Sequence, residues 1–77
     1  MVIYVESHAD MRRYTAHLGP EGELEAPEGA TVRDILTLLQ VPQDKPVVVL
    51  VNGRSRPSEH GLQPGDKMVL FQPLEGG

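Results

Sequence analysis

Apolar positions along the chain fall in short runs at both ends and repeat with a period near 3.6 in the middle. Val2 to Glu6 is β-branched around Tyr4, the composition of a buried first strand. Ser7 to Pro20 reads two ways. Met11, Tyr14 and Leu18 have helix-like spacing, whereas Arg12-Arg13-Tyr14-Thr15 equally suits the start of a returning strand. Gly19-Pro20-Glu21-Gly22 signals a turn, and Glu23-Leu24-Glu25-Ala26 then alternates as a half-exposed strand does. The first third is therefore expected to be a hairpin-like excursion.

Thr31-Val32-Arg33-Asp34 fits a capping box, in which the Thr hydroxyl and the Asp carboxylate satisfy free N–H groups at a helix start. Val32, Ile35, Leu36 and Leu39 follow at i, i+3, i+4 and i+7, one apolar stripe that packs on a sheet. A helix of about ten residues is expected, ended by Val41-Pro42, because proline disfavours helical geometry in the residue before it. Val47 to Val51 is an apolar run leading into the turn pair Asn52-Gly53, which fits a strand with one covered face and one sticky face. Arg54 to Pro57 reads as a short exposed return, Pro64-Gly65-Asp66 as a tight turn, and Lys67 to Gln72 as the last strand. The order is strand, strand, helix, strand, short strand, strand. It predicts an α+β fold, a β-grasp roll with one main helix on a mixed four- to five-stranded sheet. Residues 1–72 would form the domain and residues 73–77 a flexible C-terminal tail.

Composition narrows the function. With 77 residues the chain has room for one domain. It has no cysteine, which excludes a disulfide framework, a thiolate zinc site and a cysteine nucleophile, and suits a reducing compartment, the cytoplasm by default. Seven Lys and Arg against 11 Asp and Glu give a net charge of −4, which repels phosphate backbones and argues against nucleic acid as a partner. No window approaches the roughly 20 apolar residues of a membrane span, and Met1 to Val5 lacks the basic start of a signal peptide. A soluble protein without a membrane partner is expected.

The chain ends Gln72-Pro73-Leu74-Glu75-Gly76-Gly77. At roughly 7% glycine usage a terminal pair arises by accident about once in 200 chains. Six residues extend up to about 20 Å, and Pro73 stiffens the base of that arm. Without Cβ atoms, Gly76 and Gly77 can pass a narrow channel and deliver a carboxylate to an activating group. A carboxylate is a poor electrophile, so ATP-dependent conversion to an acyl-adenylate would have to precede displacement of AMP by a nucleophile. The chain has no Gly-rich phosphate loop. Activation, and the ATP it uses, would belong to a partner, and no bound cofactor or resident metal is expected.

Thr31-Val32-Arg33-Asp34-Ile35-Leu36, Val51-Asn52-Gly53, Leu62-Gln63-Pro64-Gly65-Asp66 and Phe71-Gln72-Pro73-Leu74-Glu75-Gly76-Gly77, in this order, resemble the MoaD/ThiS family over nearly the whole chain. That resemblance implies a ubiquitin-like sulfur carrier, a protein cosubstrate rather than an enzyme. It would be adenylated at the Gly77 carboxylate by a ubiquitin-activating-type enzyme, converted to a thiocarboxylate, and used as sulfur donor by a synthase. It also implies that Pro73, Leu74, Glu75 and Gly76 form the partner-binding arm, and that Phe71 matches an aromatic on the apolar sheet surface where the activating enzyme docks. Core packing is the equal alternative for Phe71, since a lone strand aromatic is usually core. Glu75 departs from the small residue common before the glycine pair, and its charge would select among partners. Phe71-Gln72 leans towards thiamine-type carriers, while Pro73 and the longer first third lean towards the molybdopterin type.

Other constellations are weaker. Ser7-His8-Ala9-Asp10 holds triad residue types, but neighbours on an extended chain point to opposite faces. His8, His17 and His60 lack metal-ligand spacing, and Arg12-Arg13 and Arg54 with Arg56 read as solvated turns. Two other functions stay open: a ubiquitin-like modifier joined through Gly77 to target lysines, and a β-grasp interaction module for which the glycine pair is incidental.

Overall fold

A computed structural model describes residues 1–73, so expectations for Leu74, Glu75, Gly76 and Gly77 fall outside the described residues. Strand β1 spans Val2–Ser7, β2 Glu23–Glu25, β3 Val48–Val51, β4 Arg54–Ser55 and β5 Lys67–Phe71, with helix α1 at Val32–Leu38. The strands form one sheet in the order β2-β1-β5-β3-β4. Only the β1–β5 pair is parallel; the other three pairs are antiparallel. The last strand in sequence is thus the central one in space. This mixed five-stranded sheet with one helix is the β-grasp roll the element order predicted.

Alternation along each strand builds the core. Ile3 and Val5 of β1, Val49 and Val51 of β3, and Met68 and Leu70 of β5 turn one way, as the two-residue period requires. Val32, Ile35 and Leu39 cover them from the helix, and all nine are at most 7% exposed. The capping box forms: Thr31 Oγ1 accepts from the Asp34 N–H at 3.2 Å, and Asp34 Oδ2 accepts from the Thr31 N–H at 3.0 Å. Two further first-turn donors are met by a loop, Val32 N–H by His60 O and Arg33 N–H by Ser58 O.

The helix is shorter than expected, seven residues rather than about ten, and proline is not what stops it. Gln40 takes a left-handed conformation at φ 63°. The Val41 N–H then reaches back to Leu36 O at 2.9 Å, a Schellman-type closure that satisfies a carbonyl the helix has left free. Pro42 follows a helix already closed.

Ser7 to Pro20 is neither α-helix nor returning strand. Ala9, left-handed at φ 53°, turns the chain out of β1 into a 3-10 helix at Ala9–Tyr14. That geometry still buries Met11 completely and Tyr14 in part, because its three-residue repeat also brings i and i+3 to one side, and Leu18, beyond the 3-10 helix, is partly buried against the same core. The segment is tied down by the Ser7 and Thr15 hydroxyls, 2.6 Å apart. At its end Gly22, φ +71°, sits so close to β1 that a Cβ would lie 2.0 Å from Val5 O. Only glycine fits there.

Candidate functional site

The site is the root of the tail and the sheet face beside it. Strand β5 carries the chain through the middle of the sheet to Phe71, beyond which Gln72 is half-buried and Pro73 exposed. The face turned away from α1 has no covering layer among the described residues. On it Phe71 pairs with Val48 and Val69 with Leu50; directly paired residues project to the same side. All four are half-buried, and none belongs to the core. Their strip ends at Phe71, two residues before the last described residue.

Phe71 is therefore on the open face, not in the core that was its equal alternative. Its partners Val48, Leu50 and Val69 were not singled out as site residues. The signal for them was present: Val47–Val51 and Met68–Phe71 are apolar without interruption, as strands with two apolar faces are.

A polar rim borders the strip. Glu6 lies opposite Val69 on β1. Its carboxylate accepts from Lys67 Nζ at 3.1 Å and contacts His8 Nε2 at 2.8 Å. These two hydrogen bonds, from Lys67 and then from His8, hold the Glu6 carboxyl below the usual carboxylate range. Beyond the rim, Tyr4, Glu6 and Lys67 face the Gly19–Gly22 turn across an open groove of about 650 Å³.

The turn motifs that accompany the strip are structural supports. Asn52 and Gly53 are both left-handed, φ 52° and 85°, as a tight hairpin between β3 and β4 needs. The Asn52 side chain donates to Asp66 Oδ1 at 2.9 Å and accepts from the Lys67 N–H at 3.1 Å, while Asp66 Oδ2 accepts from the Gln63 N–H at 2.8 Å. The two motifs lock together and fix where β5 begins.

Other candidate chemistry disperses. The Ser7 hydroxyl is engaged with Thr15 and the His8 ring with Glu6, so Ser7, His8 and Asp10 form no relay. Among the described residues no three His, Cys, Asp or Glu side chains gather as a metal site. None of their helices is long and apolar enough to cross a membrane.

A mixed five-stranded sheet with one α-helix on one face, its central strand ending beside an apolar open face, defines a β-grasp domain. The ThiS family model matches residues 9–77, and the chain belongs to that family, whose members are small carrier proteins rather than catalysts. Among solved structures, a protein from Pyrococcus furiosus assigned as molybdopterin converting factor, subunit 1, superposes with a TM-score of 0.77 at 27% identity, over 96% of this chain and 99% of that one. Small archaeal modifier protein 1 from Haloferax volcanii superposes with a TM-score of 0.76 at 22% identity, over 100% of both chains. That identity supports a shared fold. No curated protein matches the sequence significantly.

Proposed function

We propose that the chain is a sulfur carrier whose reactive group is the carboxylate of Gly77. The observation that carries this reading is the place where β5 ends. The central strand of the sheet ends at Phe71 on an apolar, uncovered face, so a partner seated on Val48, Leu50, Val69 and Phe71 would stand beside the root of the arm. Membership of the ThiS family, matched through residue 77, supports the same reading. The strip would seat the activating enzyme, and the arm Pro73-Leu74-Glu75-Gly76 would thread the carboxylate into its active site.

The chemistry belongs to the partner. The Gly77 carboxylate attacks the α-phosphorus of ATP and pyrophosphate leaves. A sulfide-equivalent nucleophile then attacks the acyl carbon, the acyl C–O bond breaks so that AMP leaves with the bridging oxygen and its electron pair, and a thiocarboxylate remains. A synthase consumes that sulfur in cofactor biosynthesis, with thiamine thiazole and molybdopterin as the two products the sequence leans towards. Cytoplasmic location suits a chain without cysteine that works through soluble partners.

Incubation with the cognate activating enzyme, ATP and a sulfur donor should raise the intact mass by about 16 Da, one oxygen replaced by sulfur. An unchanged mass with an enzyme verified on its own carrier would sink the proposal. The full-length likeness to small archaeal modifier protein 1 favours a second reading, in which a lysine amine meets the activated carbonyl and leaves an amide. Loss of water on joining a target protein, in place of the 16 Da gain, would select it. Deleting Gly76 and Gly77 abolishes both chemistries and leaves only non-covalent docking.

A further inference from the structure

The largest apolar side chain left in solvent lies on the other side of the sheet. Leu38, in the last turn of α1, is 50% exposed, the one large hydrophobic residue so placed among those described. A single exposed leucine is ordinary. This one is set in a concave groove of about 380 Å³, bounded by Leu39 and Gln40 just past the helix end and by Arg13, Tyr14 and His17 on the segment after β1. The guanidinium of Arg13 lies over the Tyr14 ring, 5.6 Å from its centre, which holds a cation at the groove wall. Arg13 is exposed and in no ion pair among the described residues. In a chain of net charge −4, an unpaired arginine in the groove that holds the most exposed leucine is a local reversal of sign.

The segment that carries Arg13 and Tyr14 also begins next to the central strand. The His8 N–H donates to Leu70 O at 3.1 Å, so the 3-10 helix starts beside the end of β5.

We propose that this groove is a second docking surface, separate from the open sheet face, and that it takes a partner protein's acidic segment carrying an apolar side chain. Leu38 and Tyr14 would receive the apolar residue, while Arg13 and the His17 ring would face the carboxylates around it. Two separate surfaces would let two proteins engage the chain at once. The inference goes beyond the carrier reading and does not depend on it, since the groove binds whether the tail is thiolated, conjugated or idle.

The test uses the full chain, labelled with nitrogen-15, titrated with a nine-residue peptide holding one leucine among glutamates. The counterpart with lysines in place of the glutamates is the control. The net charge of the chain opposes binding of the acidic peptide, so a response to it is diagnostic of local recognition. Saturable shifts are expected at Arg13, Tyr14, His17, Leu38 and Gln40, weakening as salt rises. Leu38→Gln and Arg13→Glu should each weaken the apparent affinity about tenfold with the rest of the spectrum unchanged, and Arg13→Lys should retain most of it. Four results would overturn the proposal: no saturable shift in the groove, equal response to the lysine peptide, shifts centred on the open sheet face, or shifts of the same groove amides when residues 74–77 are deleted without peptide. The last would make the chain's own tail the occupant.

Discussion

The two faces of the sheet come from the same strands and nearly the same residue types, yet they do different work. On β5, Met68 and Leu70 are 0% exposed under α1, while Val69 and Phe71, their immediate neighbours, stay half-buried on the open side. The helix decides this. One helix covers one face, so an apolar strand face left over is either a cost in solubility or a place for a partner. What differs between the faces is cover, and each prediction below tests that difference at a different depth.

The largest effect should come from the covered face. Leu70→Ala removes a fully buried side chain and should lower unfolding free energy by about 2–5 kcal/mol, whereas Val69→Ala one residue away should cost about 1 kcal/mol or less. Urea unfolding of the two variants checks the contrast, and equal losses would break it. The sheet edge comes next. Gly22→Ala forces a Cβ to within 2.0 Å of Val5 O at φ +71° and should cost about 1–3 kcal/mol from strain, with more if β1 must shift. Gly29→Ala meets the same kind of backbone, φ +78°, with nothing within 4 Å, and should cost about 1 kcal/mol. Thermal melts of the pair separate close approach from conformation alone.

The open face should answer to function rather than stability. Phe71→Ala should reduce kcat/KM for ATP–pyrophosphate exchange with the cognate activating enzyme about tenfold, the scale of a good interface anchor, and should leave the melting profile nearly intact. Loss of fold with no specific loss of exchange would return Phe71 to a packing role. The smallest effect lies at the rim. The Glu6 carboxyl is held low by Lys67 and then His8, so its contribution is present above the ordinary carboxylate value and fades as pH falls through the lowered folded value. Urea midpoints measured between neutral and strongly acid pH should show that decline in the wild type, and a shallower one in Glu6→Gln.

Much of this was legible in the residues. Thr31 and Asp34 announce their capping box because both partners lie within one turn. Asn52-Gly53 announces its hairpin because only such residues accept that backbone cheaply. The uninterrupted apolar runs of β3 and β5 announce two sticky faces. Less legible was the stretch from Ser7 to Pro20. Met11, Tyr14 and Leu18 satisfy helical spacing, but a left-handed Ala9 and the anchoring of Gly22 against Val5 allow only a short 3-10 turn there. The helix end was read from Pro42, whereas Gln40 had already closed it.

The sequence by itself determined the order of the strands and the α-helix and the family, since these rest on local backbone preferences and on residues in fixed succession. Tertiary structure alone decided that Phe71 faces outward beside Val48, that β5 occupies the centre of the sheet, and that Arg13 and Tyr14 meet Leu38 across a gap of more than 20 residues. The physical reason is register. A strand slipped by one residue exchanges its faces, and no local pattern states which of two apolar faces the single helix will cover.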